Sequence, residues 1–596
     1  MTWCSTRRFI ATTLVSLVTI SVAPARLVYF TPTVSAKDSL FFGEVRAVGT
    51  VIIRLRGQDR EDVEARTRQV AQRLQQQALG GARAEQVHVA RVDSAQAVMA
   101  GTQLIVTIDS ATASAAHSRP QALAQQWANN LRQTLAAPYL AVDLPARMVV
   151  PLGESRSIRY GGSYSGKLTA ASSKPDLVSV VVDSSQQRLL LEGLARGTAR
   201  INVHAGNVSG AFVTRCLPWA AAINHPIVAQ LTSPSVPPEV ARAAVFNAIL
   251  ANIRAESGTF TLLGHLQRSF VGWQSSVEIT GPEYLPRQET VSVGVDLIAR
   301  PEARVDQVLV SNEPERVRQP GSLLRQRLAG GDGCRLLWHH VNNAGCALQF
   351  VARIVNPGPT PARVFILGSQ AGPGSDEIHT GHVAMQDFWQ MVVDSIGYVA
   401  TVPSGTAWGA YQRSVPPAGI VSGMCEMVNL GAAPVIIEVA ARRQAASLPL
   451  TTVNTADDRL KELSEFAYDG RQTAEISHEV GGAWSFVQIG KPSADSNAVQ
   501  LLGHYGVLYD IAVQVENPRH KSARLELAVI AAGGAGRGVY LINGELVDSG
   551  FSGPAREKVL WSQQIAAGAT RTISVQTIPQ AGSNYPVTLV VRSFTQ

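Results

Sequence analysis

HYGVLYDIAVQVENP, residues 504–518, alternates along its length. Its odd-numbered positions Tyr505, Val507, Tyr509, Ile511, Val513 and Val515 are apolar or aromatic, and Asp510, Gln514 and Glu516 take the other side. A period of two puts the charges on the wet face of a half-buried strand rather than in a reactive cluster. Asn517-Pro518 then opens a turn. ARLELAVI (523–530) alternates back through Ala523, Leu525, Leu527 and Val529. The wording is repeated upstream. FVARIVNPGPTPARVFIL (350–367) and VENPRHKSARLEL (515–527) both carry Asn-Pro, a four-residue spacer and Ala-Arg-aliphatic. MCEMVNLGAAPVIIEV (424–439) is a shorter cousin around Asn429. The repetition predicts tandem antiparallel β-sandwiches over 305–450 and 476–596. A connector, 451–475, contains the polar helical stretch TADDRLKELSEFAYDG (455–470).

A chain of 596 residues fits about four domains. Hydrophobic residues make up 45% and charged residues 16%, which excludes a disordered protein. The 50 glycines and 31 prolines favour strands and turns. The net charge of +7 is thinly spread and no run of Lys or Arg marks a nucleic-acid groove, so the expected partners are envelope polymer or other envelope proteins.

STRRFIATTLVSLVTISVAPA (5–25) has the basic, apolar and small-residue order of a signal peptide spanning 1–36. Cleavage fits after Ala25, or after Ala36 in Val34-Ser35-Ala36. The rival reading, an uncleaved anchor over 9–30, is interrupted by Pro24 and Arg26. No later run predicts a membrane span, so the mature chain is expected in the periplasm or at the cell surface. Cys216, Cys334, Cys346 and Cys425 would then meet an oxidising compartment, with three pairings open.

Residues 43–138 read as a small α+β domain. DREDVEARTRQVAQRLQQQAL places Val63, Val70 and Leu74 on one helix face, and Leu123, Trp127, Leu131 and Leu135 recur every fourth residue after Pro120. Residues 139–217 switch to period two and predict a β-sandwich. Residues 225–302 open with a helix using Val240, Ala244, Ile249 and Ile253, followed by strands: a second small α+β domain. The fold class is therefore multi-domain, mainly β with small α+β modules.

Three stretches carry resemblances. VSNEPERVRQPGSLLRQRL (310–328), RLLWHHVNNAG (335–345), RIVNPGPTPARV (353–364), QIGKP (488–492), HYGVLYDIAVQVENP and IPQAGSNYPVTLVVRS (578–593) follow the order seen in a family of exported cyanobacterial proteins of unknown function. That resemblance implies export and a β-rich fold, and supplies no catalytic residues. VPLGES and SSKPDLVSVVVDSSQQRLLLEGLARGTARINV resemble the pilus-assembly and secretin N-terminal β-domain, and also bacterial Ig-like domains. The β-α-β-β-α order and LAQQWANNLRQTL resemble the periplasmic leader domain of some mechanosensitive-channel proteins, without the pore helices.

Ligand candidates are few. His339 and His340 adjoin on a predicted strand, so they point to opposite faces, one into the core and one to solvent. His379 and His382 lie in DEIHTGH, read as a polar loop; Trp389, Trp408 and Tyr411 could stack on sugar rings. The Gly533–Gly538 stretch precedes a strand rather than a helix and reads as a hairpin loop, not a phosphate cradle. No GxSxG, HExxH or Walker motif occurs, so no catalytic residue, metal or cofactor is expected. The expected function is a non-enzymatic structural or interaction protein of the envelope. Carbohydrate binding and secretion or pilus assembly are the alternatives.

Overall fold

A computed structural model describes residues 27–595 apart from 38–39, 146, 271, 303–304, 444–449, 453–466 and 492–502. The chain divides into two compact units. One comprises Met1–Ala220 with Gly281–Pro286, the other Ala221–Thr280 with Arg287–Gln596.

The first unit begins with two antiparallel sheets of three strands: Phe30–Lys37, Leu40–Ala47 and Thr50–Gly57, then Val87–Val92, Ala95–Ala100 and Gln103–Ile108. Helices α1 (Arg60–Leu79), α2 (Ser110–Ala115) and α3 (Pro120–Leu135) accompany them. The Asp59 carboxylate accepts from the Glu61 and Asp62 amides and starts α1, whose acidic first turn suits the helix dipole. Pro120 occupies the first turn of α3, where its missing N–H costs nothing. Val70 and Leu74 of α1 share a core with Leu123, Trp127, Leu131 and Leu135 of α3. Trp127 is thus part of the packing. Each such side chain contributes about 1.5–3 kcal/mol on burial.

Cleavage after Ala36, one of the two expected sites, would fall inside a paired strand. Phe30–Lys37 pairs along its whole length with Leu40–Ala47, and Phe30 is buried while its amide donates to Gln75 Oε1 at 3.0 Å. Removing residues up to 36 would strip a strand from its sheet, so the structured chain starts earlier than residue 43. The signal segment upstream of Leu27 lies outside the described residues.

The rest of this unit is a sandwich. Strands Ser155–Gly162, Arg188–Gly193 and Val178–Asp183 form one sheet with Leu140–Val142. Leu168–Ser172, Gly197–Ala205, Val208–Leu217 and Val149–Pro151 form the other. The inward set is the alternating one: Leu189 and Leu191 against Ile201 and Val203.

In the second unit one twelve-stranded sheet includes Phe260–Leu263, Gly272–Thr280, Arg287–Leu297, Ile227–Leu231, Tyr398–Val402, Ala362–Gly374, Ile420–Asn429, Gly333–Asn342, Val305–Ser311 and Ala467–Asp469, in that spatial order. Residues 225–302 therefore do not stand apart: Gln230 and Leu231 pair with Val399 and Tyr398. Helix α4 (Pro238–Ala251) ends before Ile253, which begins a short strand instead of completing the helix face. A five-stranded sheet, Gly321–Leu328, Val435–Arg443, Leu348–Asn356, Thr406–Val415 and Leu450–Thr452, packs against the large one through Val317, Leu348, Phe350, Val415, Val421 and Ala441. Helix α5 (Glu377–Val393) packs along Ala362–Gly374 and Ile420–Asn429.

A second sandwich follows. Arg471–Glu479, Leu508–Glu516, Thr570–Thr577, Val539–Ile542 and Glu545–Asp548 make one sheet; Ser485–Ile489, Val587–Thr595, Ala523–Ala531 and Glu557–Ile565 the other. In strand Leu508–Glu516 the residues Tyr509, Ile511, Val513 and Val515 are buried, with Gln514 and Glu516 exposed. Of the polar stretch 455–470, Ala467–Asp469 is a strand rather than helix, and 455–466 lies outside the described residues. The four cysteines described are free thiols, with Cys346 exposed.

The repeated asparagines explain the repeated wording. Asn356 donates through Nδ2 to Thr360 O and Val402 O and accepts the Gly358 amide on Oδ1. Asn517 does the same with Lys521 O, Ile565 O and the Arg519 amide, and Asn429 with Ala433 O, Ala329 O and the Gly431 amide. Asn342 is a fourth copy, with Cys346 O, Val415 O and the Ala344 amide. Each is fully or almost fully buried, so each side chain replaces water for a turn's backbone and ties it to a neighbouring strand.

Candidate functional site

Strand Gly333–Asn342 lies between Val305–Ser311 and Ile420–Asn429 and is buried on both faces. His339 and His340 do point to opposite faces, but neither reaches solvent. The expectation of one solvent-facing imidazole fails because material covers both sides of the sheet here. His340 turns to the five-stranded sheet and stacks on Phe350, ring centroids 5.7 Å apart. Its Nε2 is 2.9 Å from Ser311 Oγ and its Nδ1 is 3.1 Å from Pro314 O. Burial first, then a backbone hydrogen bond and His339 as opposed minor influences, bring its pKa down to about 3.

His339 faces a polar cavity of about 250 Å³ lined by Asn312, Glu315, Glu377, Tyr505, Ser583 and Asn584, among others. Neither ring nitrogen has a hydrogen-bond partner among the described residues, and burial pushes its pKa down to about 4. Asn312 Oδ1 is likewise buried without a partner. Close backbone approach builds the wall between α5 and residues 581–584. A Cβ on Gly381 would sit 2.0 Å from Ala581 O, and Gly582, at φ +76°, would place one 2.2 Å from Glu377 O.

The remaining candidates do not gather there. DEIHTGH is not a loop: Asp376 caps α5 through the His379 amide at 2.7 Å, and the stretch forms the helix's first turns. His379 is exposed. His382, one turn on, is buried, with Nε2 3.4 Å from Asp548 Oδ2. Its pKa is lowered by burial, against the pull of Asp548. Trp389 and Trp408 are buried rather than displayed on a rim, and Trp408 Nε1 donates to the Tyr398 hydroxyl at 3.1 Å. Tyr411 is half-buried and lies 5.3 Å from Trp338 between ring centroids. No group of three His, Cys, Asp or Glu among the described residues could hold a metal ion.

Trp408 and Tyr411 do meet at a second concavity. A groove of about 660 Å³ runs between α4, α5 and strand Thr406–Val415, with Phe246, Tyr398, Trp408 and Tyr411 among its walls. Arg242, Gln370, Asp387, Gln412 and Arg413 add polar groups. Arg242 covers the Phe246 ring at 5.1 Å. Burial, then the Glu239 charge, raises the Asp387 pKa.

Sequence reading missed the buried ion clusters. Glu438 is held by Arg353 at 2.8 Å and Arg325 at 3.2 Å; Glu426 by Arg335 and Arg300, each at 2.9 Å. Glu526 lies between Arg592 and Arg524; burial pushes its carboxyl up, but those guanidinium hydrogen bonds prevail and hold it below the usual range. Arg335, Arg353 and Arg592 sit directly across the ladder from their glutamates. Arginine inside an otherwise apolar strand, as in LQFVARIVN, was the available signal. For Asn312 the signal was a polar residue just beyond the apolar run Val308-Leu309-Val310.

A domain of unknown function (DUF8459) matches residues 44–138. None of the curated proteins matches the chain. Among solved structures, the S-layer protein SbsC domains 4 and 5 align at 18% identity over 20% of this chain and 63% of that one, with a TM-score of 0.12. SbsC domains 4–9 align at 8% identity over 73% and 83%, with a TM-score of 0.13. SGBP-B of the Bacteroides ovatus mixed-linkage glucan utilization locus, in complex with a mixed-linkage heptasaccharide, aligns at 10% identity over 76% of this chain and 99% of that one, with a TM-score of 0.12. These likenesses are too loose to carry architecture or function across. No helix among the described residues is long and apolar enough to cross a membrane.

Proposed function

We propose that the chain is an exported, non-enzymatic structural or interaction protein of the cell envelope, presenting serial β-modules to a protein partner. One observation carries this reading. Strand Phe260–Leu263 is the outermost of its sheet, pairs only with Gly272–Thr280 among the described strands, and leaves Phe260 74% and Leu262 64% exposed. Soluble proteins usually blunt such an edge with charge or cover it. An extended segment of a partner adding as a further strand would satisfy the open backbone groups and cover both side chains. Cross-linking mass spectrometry on the intact envelope tests this. The expected result is protein cross-links concentrated near 256–270, abolished by Phe260→Arg with Leu262→Arg at unchanged thermal stability. A chain soluble in the periplasm without protein cross-links would sink the reading.

A second reading, glycan binding, rests on the aromatic groove. Sugar rings present apolar faces to aromatic rings and hydroxyls to planar polar side chains, and this groove offers the half-buried Tyr411 ring beside Arg242, Gln412 and Arg413. Retention on immobilised envelope polysaccharide should fall in Tyr411→Ala and Arg242→Ala. Equal retention of both variants would reject it.

A further inference from the structure

We infer that the cavity beside His339 binds a small polyhydroxylated ammonium ion, an amino sugar in its cationic form. A buried imidazole with two unpartnered nitrogens costs free energy that a partner would recover. A neutral imidazole offers one N–H donor and one acceptor nitrogen. Asn312 Oδ1 adds an unused acceptor and the Glu315 carboxylate adds negative charge, while Glu377 shares its charge with Arg316 at 3.9 Å. Other polar groups of the wall are already committed. The Tyr505 hydroxyl donates to Ser583 O at 2.9 Å, Ser583 Oγ to Arg537 O at 3.0 Å, and Asn584 Nδ2 to Ala535 O at 2.8 Å. The cations nearby are engaged too: Arg316 approaches Glu377 at 3.9 Å and Arg335 is bound to Glu426.

The open groups therefore call for a ligand rich in donors, positively charged, and carrying at least one oxygen to accept the imidazole N–H. An ammonium group beside hydroxyls fits that count; a phosphate or carboxylate does not. The cavity of about 250 Å³ has room for a small polar molecule the size of one monosaccharide. The site uses neither the exposed edge strand nor the aromatic groove, so its failure leaves both earlier readings standing.

The test is calorimetric titration of the full chain with glucosamine hydrochloride, with glucose and N-acetylglucosamine as uncharged controls. Saturable one-site binding is expected for glucosamine, weaker by at least about tenfold for each control. His339→Leu should weaken it by a similar factor without lowering the thermal midpoint. Glu315→Gln, at a partly exposed wall position, gives a second variant that should also weaken it. No binding of glucosamine would leave a cavity filled by water alone and overturn the proposal. So would binding unaffected by both variants, or equal binding of glucose.

Discussion

His339 and His340 are adjacent on one strand and almost equally hidden, yet only His340 has its ring nitrogens matched to protein groups. The same contrast runs through the second unit. Glu426, Glu438, Glu526 and the four turn asparagines are buried polar groups with full sets of partners, whereas His339 and Asn312 Oδ1 are buried polar groups facing a cavity. Burial alone does not distinguish scaffold from site. What distinguishes them is whether the fold itself supplies the partner.

The contrast predicts a gradient of mutational cost. The steepest part belongs to the ion clusters. Glu438→Ala leaves Arg325 and Arg353 facing each other at low exposure, and should cost about 3–5 kcal/mol in chemical denaturation of the second unit. A cost under about 1 kcal/mol would mean that these clusters contribute little and the comparison rests on the wrong groups.

Acid comes next, and acts on both histidines. Each has a folded pKa, about 3 for His340 and about 4 for His339, below the ordinary value of 6.5. Unfolded chains bind these protons first, so stability is retained above pH 6.5 and lost as pH falls towards the folded values. Between pH 7 and 5 the loss should be about 2 kcal/mol per histidine. His382, His478 and His504 are lowered as well and add in the same direction. Denaturant midpoints at pH 7 and 5 check this, and the His339→Leu, His340→Phe double variant should show a flatter dependence.

A smaller effect is expected at Asn517→Ala, about 2–3 kcal/mol, because Lys521 O and Ile565 O lose a donor and the Arg519 amide an acceptor. Asn342→Ala should match it if the four turns are equivalent. A markedly milder loss would separate that turn from the other three.

Legibility in the sequence followed the same divide. Alternation in 505–515 and the recurring Asn-Pro spacing reported strands and turns, because both depend on local period and local hydrogen bonds. Trp127 and Leu131 were legible as core for the same reason. Helix α5 was not: its Glu377–His382 start is polar, and its apolar residues Ala384, Met385 and Phe388 were obscured by a Gly/Ser-rich approach. Nor was the joining of residues 225–302 to the large sheet, which depends on a two-residue pairing between segments far apart in sequence. His339 was legible as a face-alternating residue, but what faced it was not. Tyr505 and Ser583 reach the cavity from strand ends and turns more than 160 residues downstream.

The smallest predicted effect is the most discriminating. His340→Phe keeps a ring on Phe350 but strands the Ser311 hydroxyl and removes the contact with Pro314 O, so it should cost about 1–3 kcal/mol. His339→Leu removes two polar atoms that have no partner among the described residues and puts an apolar group in their place. Substituting an unsatisfied buried group by an apolar one of similar size is neutral or favourable, so the change should lie within about 1 kcal/mol of zero, on the stabilising side. The two variants differ by one position on one strand, and both positions are buried. A stable His339→Leu beside a weakened His340→Phe means that the fold does not need the His339 imidazole, which leaves the cavity to account for it. A loss at His339→Leu as large as at His340→Phe means that bound water completes a structural network there, and the two faces of the strand are then alike.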